Sequence, residues 1–524
     1  MRRLHQMTTT NTARRLYMVY TYTIFRAIFN GEQTNSGTPR RRHSHFCLLF
    51  NQKSIAEAGH IKAWQGLWHR CWLQAIVHIM SFWAVSRGLT PQGKVAPMLN
   101  PNQRQFLEDE LRYREKLKML AGGNAIDDVY VRKPDTVDDP LELDKHDSFY
   151  KTTKSLLVLF QIMGVMPIHR NPPVRNMPRT GYSWRSKQVM WAVFIYSCQT
   201  TIVVLVLRER VKKFITSPDK RFDEAIYNVI FISLLFTNFL LPVASWRHGP
   251  QVAIFKNMWT NYQYKFFKTT GSPIVFPNLY PLTYALCVFS WLLSIAINLS
   301  QYFLQPDFRL WYTFAYYPII AMLNCFCSLW YINCNAFGTA SHALSDALQA
   351  TIKGEKPAQK LTEYRHLWVD LSHMMQQLGR AYSNMYGMYC LVIFFTSIIA
   401  TYGSISEIID HGATYKEVGL FVIVFYCMCL LYIICNEAHY ASHKVGMEFQ
   451  TKLLNINLTA VDTATQKEVD MLLVAINKNP PIMNLDGYAN INRELITTNI
   501  SFMATYLVVL LQFKITEQRR SQTV

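Results

Sequence analysis

Charged residues and histidine are absent from seven long apolar stretches of this 524-residue chain, in which half of all residues are hydrophobic. A helix needs about 20 mostly apolar residues to cross the hydrocarbon of a bilayer, and each stretch approaches that length. We therefore predict an all-α membrane protein with seven transmembrane helices. Transporters carry ionisable residues or internal repeats in their spans, so the absence of both disfavours a transporter. The predicted spans are Val189–Leu207, Ala225–Ser245, Tyr280–Leu299, Leu310–Asn333, Asn384–Tyr402, Val418–Cys435 and Ile496–Phe513.

Sequence motifs of catalytic sites are also missing. The chain has no glycine-rich phosphate-binding loop, no Gly-x-Ser-x-Gly sequence and no coherent catalytic triad, so neither an enzyme nor a cofactor is predicted. His439 and His443 have the i, i+4 spacing of a helical metal pair. However, the His-Glu-x-x-His order of metallohydrolases and an obvious third ligand are lacking. We therefore predict no metal site and assign these histidines, with Glu437, to polar packing at the inner end of the sixth span.

A disulfide framework is lacking as well, although the chain contains 11 cysteines. Most of them lie in or beside the apolar stretches, at spacings that fit no secreted disulfide scaffold. We interpret these cysteines as small residues that pack between membrane helices.

Acidic residues are scarce at the start of the chain. Residues 1–95 contain 13 Lys/Arg but 2 Asp/Glu, which accounts for much of the formal charge of +19. A nucleic-acid-binding module would combine such charge with a recognisable folded motif, and none is present, so no nucleic-acid partner is predicted. Residues 96–150 hold 12 Asp/Glu and 8 Lys/Arg and are typical of a solvated segment. One hypothesis is that the natural protein starts at Met98 and that residues 1–97 are an extension from the gene model.

The distribution of Lys and Arg between the loops predicts an orientation, because cytoplasmic loops carry more of these residues. With the N-terminus inside, the inner segments contain 19 Lys/Arg and the outer segments 11, although the basic loop Arg208–Arg221 opposes this bias. We therefore predict a cytoplasmic N-terminal region (residues 1–150), a seven-helix membrane domain (151–515) and an extracellular C-terminal tail (516–524).

Two long connections are predicted to be helical. Leu361–Met385 has apolar residues at helical spacing, and Val469–Ile476 has a helical pattern that Asn479-Pro480-Pro481 ends. Both lie on the predicted inner side, so they are expected to form helical cytoplasmic extensions, an anchor domain that joins subunits. Leu156–Ile168 is too short to span the bilayer comfortably and is interpreted as an interfacial or re-entrant segment.

Two glycosylation sequons bear on the orientation. Asn298-Leu299-Ser300 lies on the predicted outer side, close to the bilayer, whereas Asn457-Leu458-Thr459 lies on the predicted inner side. Asn457 should therefore carry no glycan.

Gln512 lies at the end of the last span, where an amide group in hydrocarbon needs a partner or water. On a helix, Thr505, Val509, Gln512 and Phe513 fall near one face. One interpretation is a pore wall, in which Val509 and Phe513 exclude water and Gln512 offers its amide dipoles to hydrated ions. The other interpretation is that Gln512 reaches the outer interface while the helix merely packs. The residues alone leave both interpretations open.

Segments of the C-terminal part of the chain resemble a known family. The pattern Thr505-Tyr506-x5-Gln512-Phe513 at the end of a seventh span resembles the signature of insect gustatory receptors. Residues 432–442, 453–479 and 503–513 are similar to the carbon-dioxide receptor subunits of that family. The resemblance extends over about residues 145–515 and is strongest after Leu361.

This resemblance implies a tetrameric, ligand-gated, non-selective cation channel with cytoplasmic N-termini and with the seventh helices around the pore. Carried over to this chain, it implies that Val509, Gln512 and Phe513 form the gate and pore lining and that Thr505 and Tyr506 belong to the pore-helix motif. It also implies paralogous gustatory receptor subunits as partners in a lipid bilayer, carbon dioxide as the stimulus, and a location in the plasma membrane of chemosensory neurons, in their dendrites.

The fourth span is unusually aromatic near its start. Trp311, Tyr312, Tyr316 and Tyr317 are candidates for the wall of a ligand pocket in the outer half of the helix bundle, where the resemblance also places it. The alternative is that these aromatic residues face lipid or the membrane interface. Carbon dioxide would need a tight cavity with a few donors, whereas bicarbonate would need Arg or Lys, which the segment Arg208–Lys213 provides. The sequence does not choose between the two ligands.

A seven-helix receptor coupled to G proteins is the alternative function. Such a receptor would have an extracellular N-terminus, an Asp/Glu-Arg-Tyr sequence after the third span and Asn-Pro-x-x-Tyr in the seventh. Here Gln305-Pro306-Asp307-Phe308-Arg309 follows the third span, and the seventh span contains no proline. The sequence therefore favours the channel.

Overall fold

The computed structural model describes residues 140–172, 179–216, 222–305, 308–352, 357–412, 415–456, 462–487 and 489–522. The predicted start at Met98, most of the predicted N-terminal region and the second sequon at Asn457 lie outside these ranges. Within them the helices are α1 (Pro140–His146), α2 (Ser148–Ile162), α3 (Lys187–Thr216), α4 (Phe222–Thr270), α5 (Leu279–Leu304), α6 (Thr313–Ile352), α7 (Pro357–Ala381), α8 (Ser383–His411), α9 (Tyr415–His443), α10 (Phe449–Leu454), α11 (Thr463–Lys478) and α12 (Arg493–Gln522).

Four short elements complete the described chain. The strands β1 (His169–Arg170) and β2 (Thr180–Gly181) form an antiparallel pair between α2 and α3. A 3-10 turn, Leu310–Tyr312, precedes α6, and a π-helical turn, Lys444–Glu448, joins α9 to α10. The protein is therefore almost entirely helical in its described ranges.

Seven of these helices are long and apolar enough to cross a membrane, namely α3, α4, α5, α6, α8, α9 and α12. The predicted all-α class with seven apolar helices is therefore confirmed. The predicted boundaries are too narrow, most clearly at the second span, which was expected to end at Ser245 but continues as α4 to Thr270. Polar residues after Ser245 end the apolar stretch without ending the helix. The helix stops where Gly271 adopts a left-handed φ of 74°.

The two connections predicted to be helical are helices. Leu361–Met385 falls largely in α7, and Val469–Ile476 falls in α11. α11 ends at Lys478, directly before Asn479 and the two prolines that were expected to stop it. The helical nature of the predicted anchor domain therefore agrees with the structure, and its side of the membrane stays a prediction.

The short apolar stretch before the first span belongs mainly to α2, which ends at Ile162. One side of this helix is buried through Phe149, Leu156 and Phe160, and α2 contacts α5 and α6. Its burial comes from packing on other helices of the same chain. The segment is thus largely an amphipathic helix packed on its own chain, and its position relative to the bilayer stays a prediction.

The fourth apolar helix, α6, forms the centre of the bundle. In the most apolar stretch of α6, 83% of the residues are buried. In the most apolar stretch of α12, 0% of the residues are buried. α6 contacts α4, α5, α7 and α9. The final helix therefore lies at the edge of the helix bundle, and the aromatic fourth span lies in its interior.

A buried carboxylate ties the elements before the first span to α4. Asp147 is 1% exposed and accepts hydrogen bonds from Arg170 Nη2 at 2.9 Å, Thr260 Oγ1 at 2.9 Å and Gln263 Nε2 at 3.2 Å. Lys256, which is also buried, places its ammonium 4.5 Å from the centre of the Phe149 ring. Buried charges need such partners, so this cluster fixes the N-terminal helices on α4.

Candidate pore helix and ligand cavity

The final helix contacts its own subunit along one side. α12 touches α8 and α9, and Leu507 and Leu510 pack against the hydrophobic core. Thr505, Val509 and Gln512 are exposed. At about 3.6 residues per turn they lie on the opposite side of the helix from the leucines. The structure therefore brings three of the predicted pore residues together on a face that points away from the subunit.

That face is more polar than the sequence analysis recognised. Thr498, Ser501 and Thr516 are exposed and share the face of Thr505 at helical spacing. The hydroxyl groups of Ser501 and Thr505 donate to the carbonyl oxygens four residues earlier, each at 2.9 Å. Because these hydroxyls are satisfied within the helix, the face tolerates both an apolar and an aqueous surrounding. Their helical spacing relative to Gln512 would have identified these residues from the sequence.

The remaining two residues of the predicted motif differ in position. Tyr506 is 54% exposed and lies beside the polar face. Phe513 belongs to α12 and follows Gln512 directly, but its side chain lies outside the described part of the structure. The roles assigned to both stay predictions.

A small cavity lies inside the bundle, in the half nearest to the connection between α5 and α6, the predicted outer half. Its volume is about 30 Å³, which exceeds the roughly 10–15 Å³ that one water molecule needs. Helices α4, α5, α6, α8 and α9 all contribute to its wall. The lining residues are Phe231, Leu234, Ile297, Asn298, Gln301, Phe308, Tyr316, Ile320, Leu323, Val392, Ile393, Thr396, Ile423, Tyr426 and Cys427.

Two polar residues of this wall have unused hydrogen-bonding capacity. Gln301 donates through Nε2 to the carbonyl oxygen of Gly419 at 3.3 Å, but its Oε1 has no partner among the described residues. Thr396 is fully buried, and its hydroxyl likewise lacks a partner within the described ranges. By contrast, the Tyr426 hydroxyl donates to Asn324 Oδ1 at 2.8 Å. Two residues in the wall of an otherwise apolar cavity thus carry unpaired polar atoms.

The four aromatic residues predicted for the pocket have different surroundings. Tyr316 lines the cavity. Tyr312 is buried without being among the lining residues, Trp311 is 36% exposed, and Tyr317 meets the Trp291 ring edge to face with 6.1 Å between ring centres. Consecutive residues of a helix point about 100° apart, so even neighbours such as Tyr316 and Tyr317 meet different surroundings. The structure therefore places one of the four predicted side chains at the cavity.

Arg210 lies behind the aromatic part of the wall. It is 2% exposed, and its Cζ is 4.7 Å from the Phe231 ring centre and 4.5 Å from that of Tyr312. Its Nη1 donates to Asn228 Oδ1 at 3.2 Å. Phe231 therefore faces the cavity and the guanidinium, which keeps this cation out of the wall. Of the described residues that line the cavity, none is charged.

Asn298 of the first sequon also belongs to the cavity wall. It is 3% exposed, and its Nδ2 donates to the carbonyl oxygen of Ser294 at 2.8 Å. A buried side chain within a helix is inaccessible to glycan transfer, so the sequon is not a usable acceptor in the folded protein.

The polar residues at the end of α9 surround the start of α12. Glu437 accepts a hydrogen bond from Asn436 Nδ2 at 3.3 Å, while Arg493 at the start of α12 reaches Asn436. In the part of the chain that the structure describes, no group of three or more His, Cys, Asp and Glu residues is arranged to hold a metal ion. These residues therefore connect two helices.

Comparisons with known proteins agree with this architecture. A family model described as the 7tm chemosensory receptor matches residues 153–517. Gustatory and odorant receptor 21a of Drosophila melanogaster is 93% identical over 441 residues, which cover 84% of this chain and 97% of that protein. Gustatory and odorant receptor 22 of Anopheles gambiae is 69% identical over 425 residues, covering 81% of this chain and 91% of that protein.

A solved structure supports the fold. The insect olfactory receptor OR5 from Machilis hrabei superimposes with a TM-score of 0.50 at 15% sequence identity, covering 72% of this chain and 100% of that chain. Such low identity speaks for the fold alone, whereas the family match and the close relatives extend over most of the chain. The chain therefore belongs to the seven-transmembrane chemosensory receptor family, with gustatory and odorant receptors as close relatives.

Proposed function

We propose that the chain is a subunit of a ligand-gated, non-selective cation channel that detects carbon dioxide in the plasma membrane of chemosensory neurons. The observation that carries this proposal concerns the final helix. Of the residues in its most apolar stretch, 0% are buried within the chain. Its outward face carries Thr505, Val509 and Gln512. The hydroxyl groups of this face are satisfied within the helix, but the Gln512 amide is poorly accommodated by lipid alone, whereas a central water path between several copies suits it.

Each element of the polar face has a part in this pore. Val509 and Phe513 of several subunits would form apolar rings that exclude water in the closed state. Gln512 lies between them and offers amide dipoles to hydrated cations when the helices separate. A tetramer of this chain, or of this chain with paralogous subunits, would place four such faces around one axis, as closed symmetric assemblies do.

A second surface supports assembly with other subunits. Tyr440, Met447, Leu454 and Val474 are exposed apolar residues beyond the predicted end of the sixth span. Bilayer hydrocarbon does not reach that region if the span ends near Cys435, so another protein surface is the natural covering. These residues belong to the predicted cytoplasmic anchor domain, which would join neighbouring subunits.

The cavity supports carbon dioxide over bicarbonate as the ligand. Its volume of about 30 Å³ suits a molecule of a few heavy atoms. A bicarbonate anion without a cation in its wall would pay a large desolvation penalty, and the aromatic wall separates Arg210 from the cavity. Carbon dioxide carries no charge, and its oxygen atoms accept hydrogen bonds.

Ligand binding opens the channel only if the open state binds the ligand more tightly than the closed state does. The cavity is built from five helices, of which α8 and α9 also touch α12. A ligand-dependent shift of either helix therefore reaches the final helix through direct contact.

Substituted-cysteine accessibility tests this proposal. T505C, V509C and Q512C should react with a water-soluble thiol reagent when carbon dioxide is applied, and the reaction should change the current. L510C on the packed side of α12 is the matched control and should stay protected. If the three outward positions are as unreactive as L510C in resting and stimulated channels, α12 lines no water path and the proposal is wrong.

The proposed orientation has its own test. A tag added at the N-terminus should be accessible to antibody only after the plasma membrane is permeabilised, because that end is proposed to be cytoplasmic. Labelling of intact cells would instead support the orientation of a G-protein-coupled receptor.

A further inference from the structure

In the segment that joins α11 to the final helix, residues 479–487 lie between α7 and the π-helical turn that follows α9. On one side Gly379 of α7 lies directly under the backbone of Asn484, so that a side chain there would clash with the Asn484 carbonyl oxygen. On the other side Pro481 lies against Gly446, where an added β carbon would be 3.1 Å from the proline ring. These close approaches fix the chain just before α12 begins.

The first residue of α12 is bound to α9 by two hydrogen bonds. Arg493 donates from Nε and Nη2 to the single oxygen Oδ1 of Asn436, at 3.1 and 2.8 Å. The amide nitrogen of Asn436 donates to Glu437 Oε1 at 3.3 Å. This second contact turns the amide oxygen towards the guanidinium.

The helix that carries Asn436 also forms part of the ligand cavity. Ile423, Tyr426 and Cys427 of α9 line that cavity. Asn436 follows Cys427 by nine residues, about 14 Å along the same uninterrupted helix. A rotation or shift of α9 at the cavity therefore moves Asn436, and with it the base of α12.

Below Asn436 the helix is held by its neighbours. The π-helical turn Lys444–Glu448 interrupts the regular hydrogen bonding of the helix. The Lys444 carbonyl oxygen accepts a hydrogen bond from Ser341 at 3.1 Å, and the Val445 carbonyl oxygen accepts one from Trp368 at 3.0 Å. The end of α9 is thus anchored on α6 and α7, and Asn436 lies between this anchor and the cavity.

We propose that the hydrogen-bond pair between Arg493 and Asn436 is a gating contact, which holds the base of the final helix against α9 in this conformation. The pair positions the pore helix without touching ions or ligand. This inference rests on the proposed channel function and adds to it the contact through which the cavity and the pore helix communicate.

Two substitutions at one position test the direction of the effect. Asn436→Ala removes the acceptor and weakens the pair. Asn436→Asp loses the hydrogen bond that the amide donates to Glu437, but it replaces the neutral acceptor with a carboxylate that binds both guanidinium N–H groups more strongly. The carbon dioxide concentration for half-maximal current should therefore shift in opposite directions, by about threefold or more for each variant. Unitary conductance should stay unchanged, because the pore face is untouched.

A variant of Arg493 and a matched control variant on α11 make the test specific. In a channel that carries Arg493→Ala, Asn436→Asp should no longer shift the response, because the aspartate has lost its guanidinium. Asn477→Asp places the same change on α11, where the amide accepts a hydrogen bond from Gln450 at 3.4 Å, and it should leave the response unaltered. Shifts of equal sign for N436A and N436D, or an N436D effect that persists without Arg493, would overturn the inference.

Hydrogen exchange measures the stability of the same contact in the absence of carbon dioxide. In the purified full-length protein, backbone amides in the first two turns of α12 should exchange faster in N436A and slower in N436D than in the wild type. A wild-type channel that gives no carbon dioxide current refutes the proposed function, and exchange rates equal in all three proteins refute the gating contact.

Discussion

Gln301 on α5 and Thr396 on α8 reach the same cavity from two different helices, and each carries a side-chain oxygen with no hydrogen-bond partner among the described residues. A buried polar atom without a partner costs about 1–3 kcal/mol. Carbon dioxide offers matching chemistry, because its terminal oxygens accept hydrogen bonds and its carbon is electron-poor. The Thr396 hydroxyl would donate to a terminal oxygen and the Gln301 carbonyl oxygen would face the carbon.

Thr396→Val should therefore separate ligand sensitivity from stability. The loss of one donor should raise the half-maximal carbon dioxide concentration about two- to tenfold. The melting temperature of the purified protein should stay the same or rise, since an unpartnered hydroxyl is replaced by a methyl group. Thr401→Val is the control, because the Thr401 hydroxyl already donates to the Ser397 carbonyl oxygen on the same helix. Equal responses from T396V and wild type would remove Thr396 from the ligand site.

Gln512→Leu should lower the unitary conductance while the half-maximal carbon dioxide concentration stays the same. The substitution removes amide dipoles from the proposed ion path and leaves the cavity untouched. Single-channel recording measures both quantities. Leu507→Met on the packed side of α12 serves as the control, and a conductance that changes in L507M but not in Q512L would place the pore on the other side of the helix.

Gly379→Ala should destabilise the protein, because a β carbon at this position clashes with the Asn484 carbonyl oxygen. The expected cost is about 1–3 kcal/mol, which a thermal unfolding curve in detergent resolves. Gly387→Ala is the matched control: Gly387 is also helical, and beyond its own stretch of helix no atom of a described residue lies within 4 Å of its added β carbon. It should be neutral or stabilising by up to about 1 kcal/mol, as alanine favours a helix. Equal melting temperatures for both variants would contradict the close packing of Gly379 against the backbone of Asn484.

Asp147→Asn should also lower thermal stability strongly. It removes the carboxylate that accepts a hydrogen bond from Arg170 at 2.9 Å, although Arg170 keeps its ion pair with Asp144. It also leaves the buried Lys256 ammonium without the negative charge of Asp147 nearby, and breaking a buried charge pairing costs about 3–5 kcal/mol. Asp370→Asn removes an ion pair with Lys265 in which both side chains are largely exposed, 43% and 61%. Such a surface pair contributes about 0–1 kcal/mol. A loss in D147N no larger than that in D370N would show that the buried cluster does not hold the N-terminal helices.

Hydropathy predicted the seven helices because hydrocarbon excludes charge, a constraint that acts on each helix separately. It did not predict where helices end: α4 continues to Thr270 through polar residues, since backbone hydrogen bonding does not depend on a membrane. Aromatic content pointed to the fourth span but could not separate Tyr316, which lines the cavity, from Trp311, which is exposed. That difference depends on which neighbour covers each turn.

The amino-acid sequence by itself determined the class of this protein, its family and the polar residues that share one face of the final helix, because charge exclusion and helical spacing are local properties. Only the tertiary structure decided that this face points away from the subunit, that Gln301 and Thr396 share a cavity, and that Arg493 is bound to Asn436. These relations join residues from different helices. They follow from how the helices pack, which no single segment of the chain specifies.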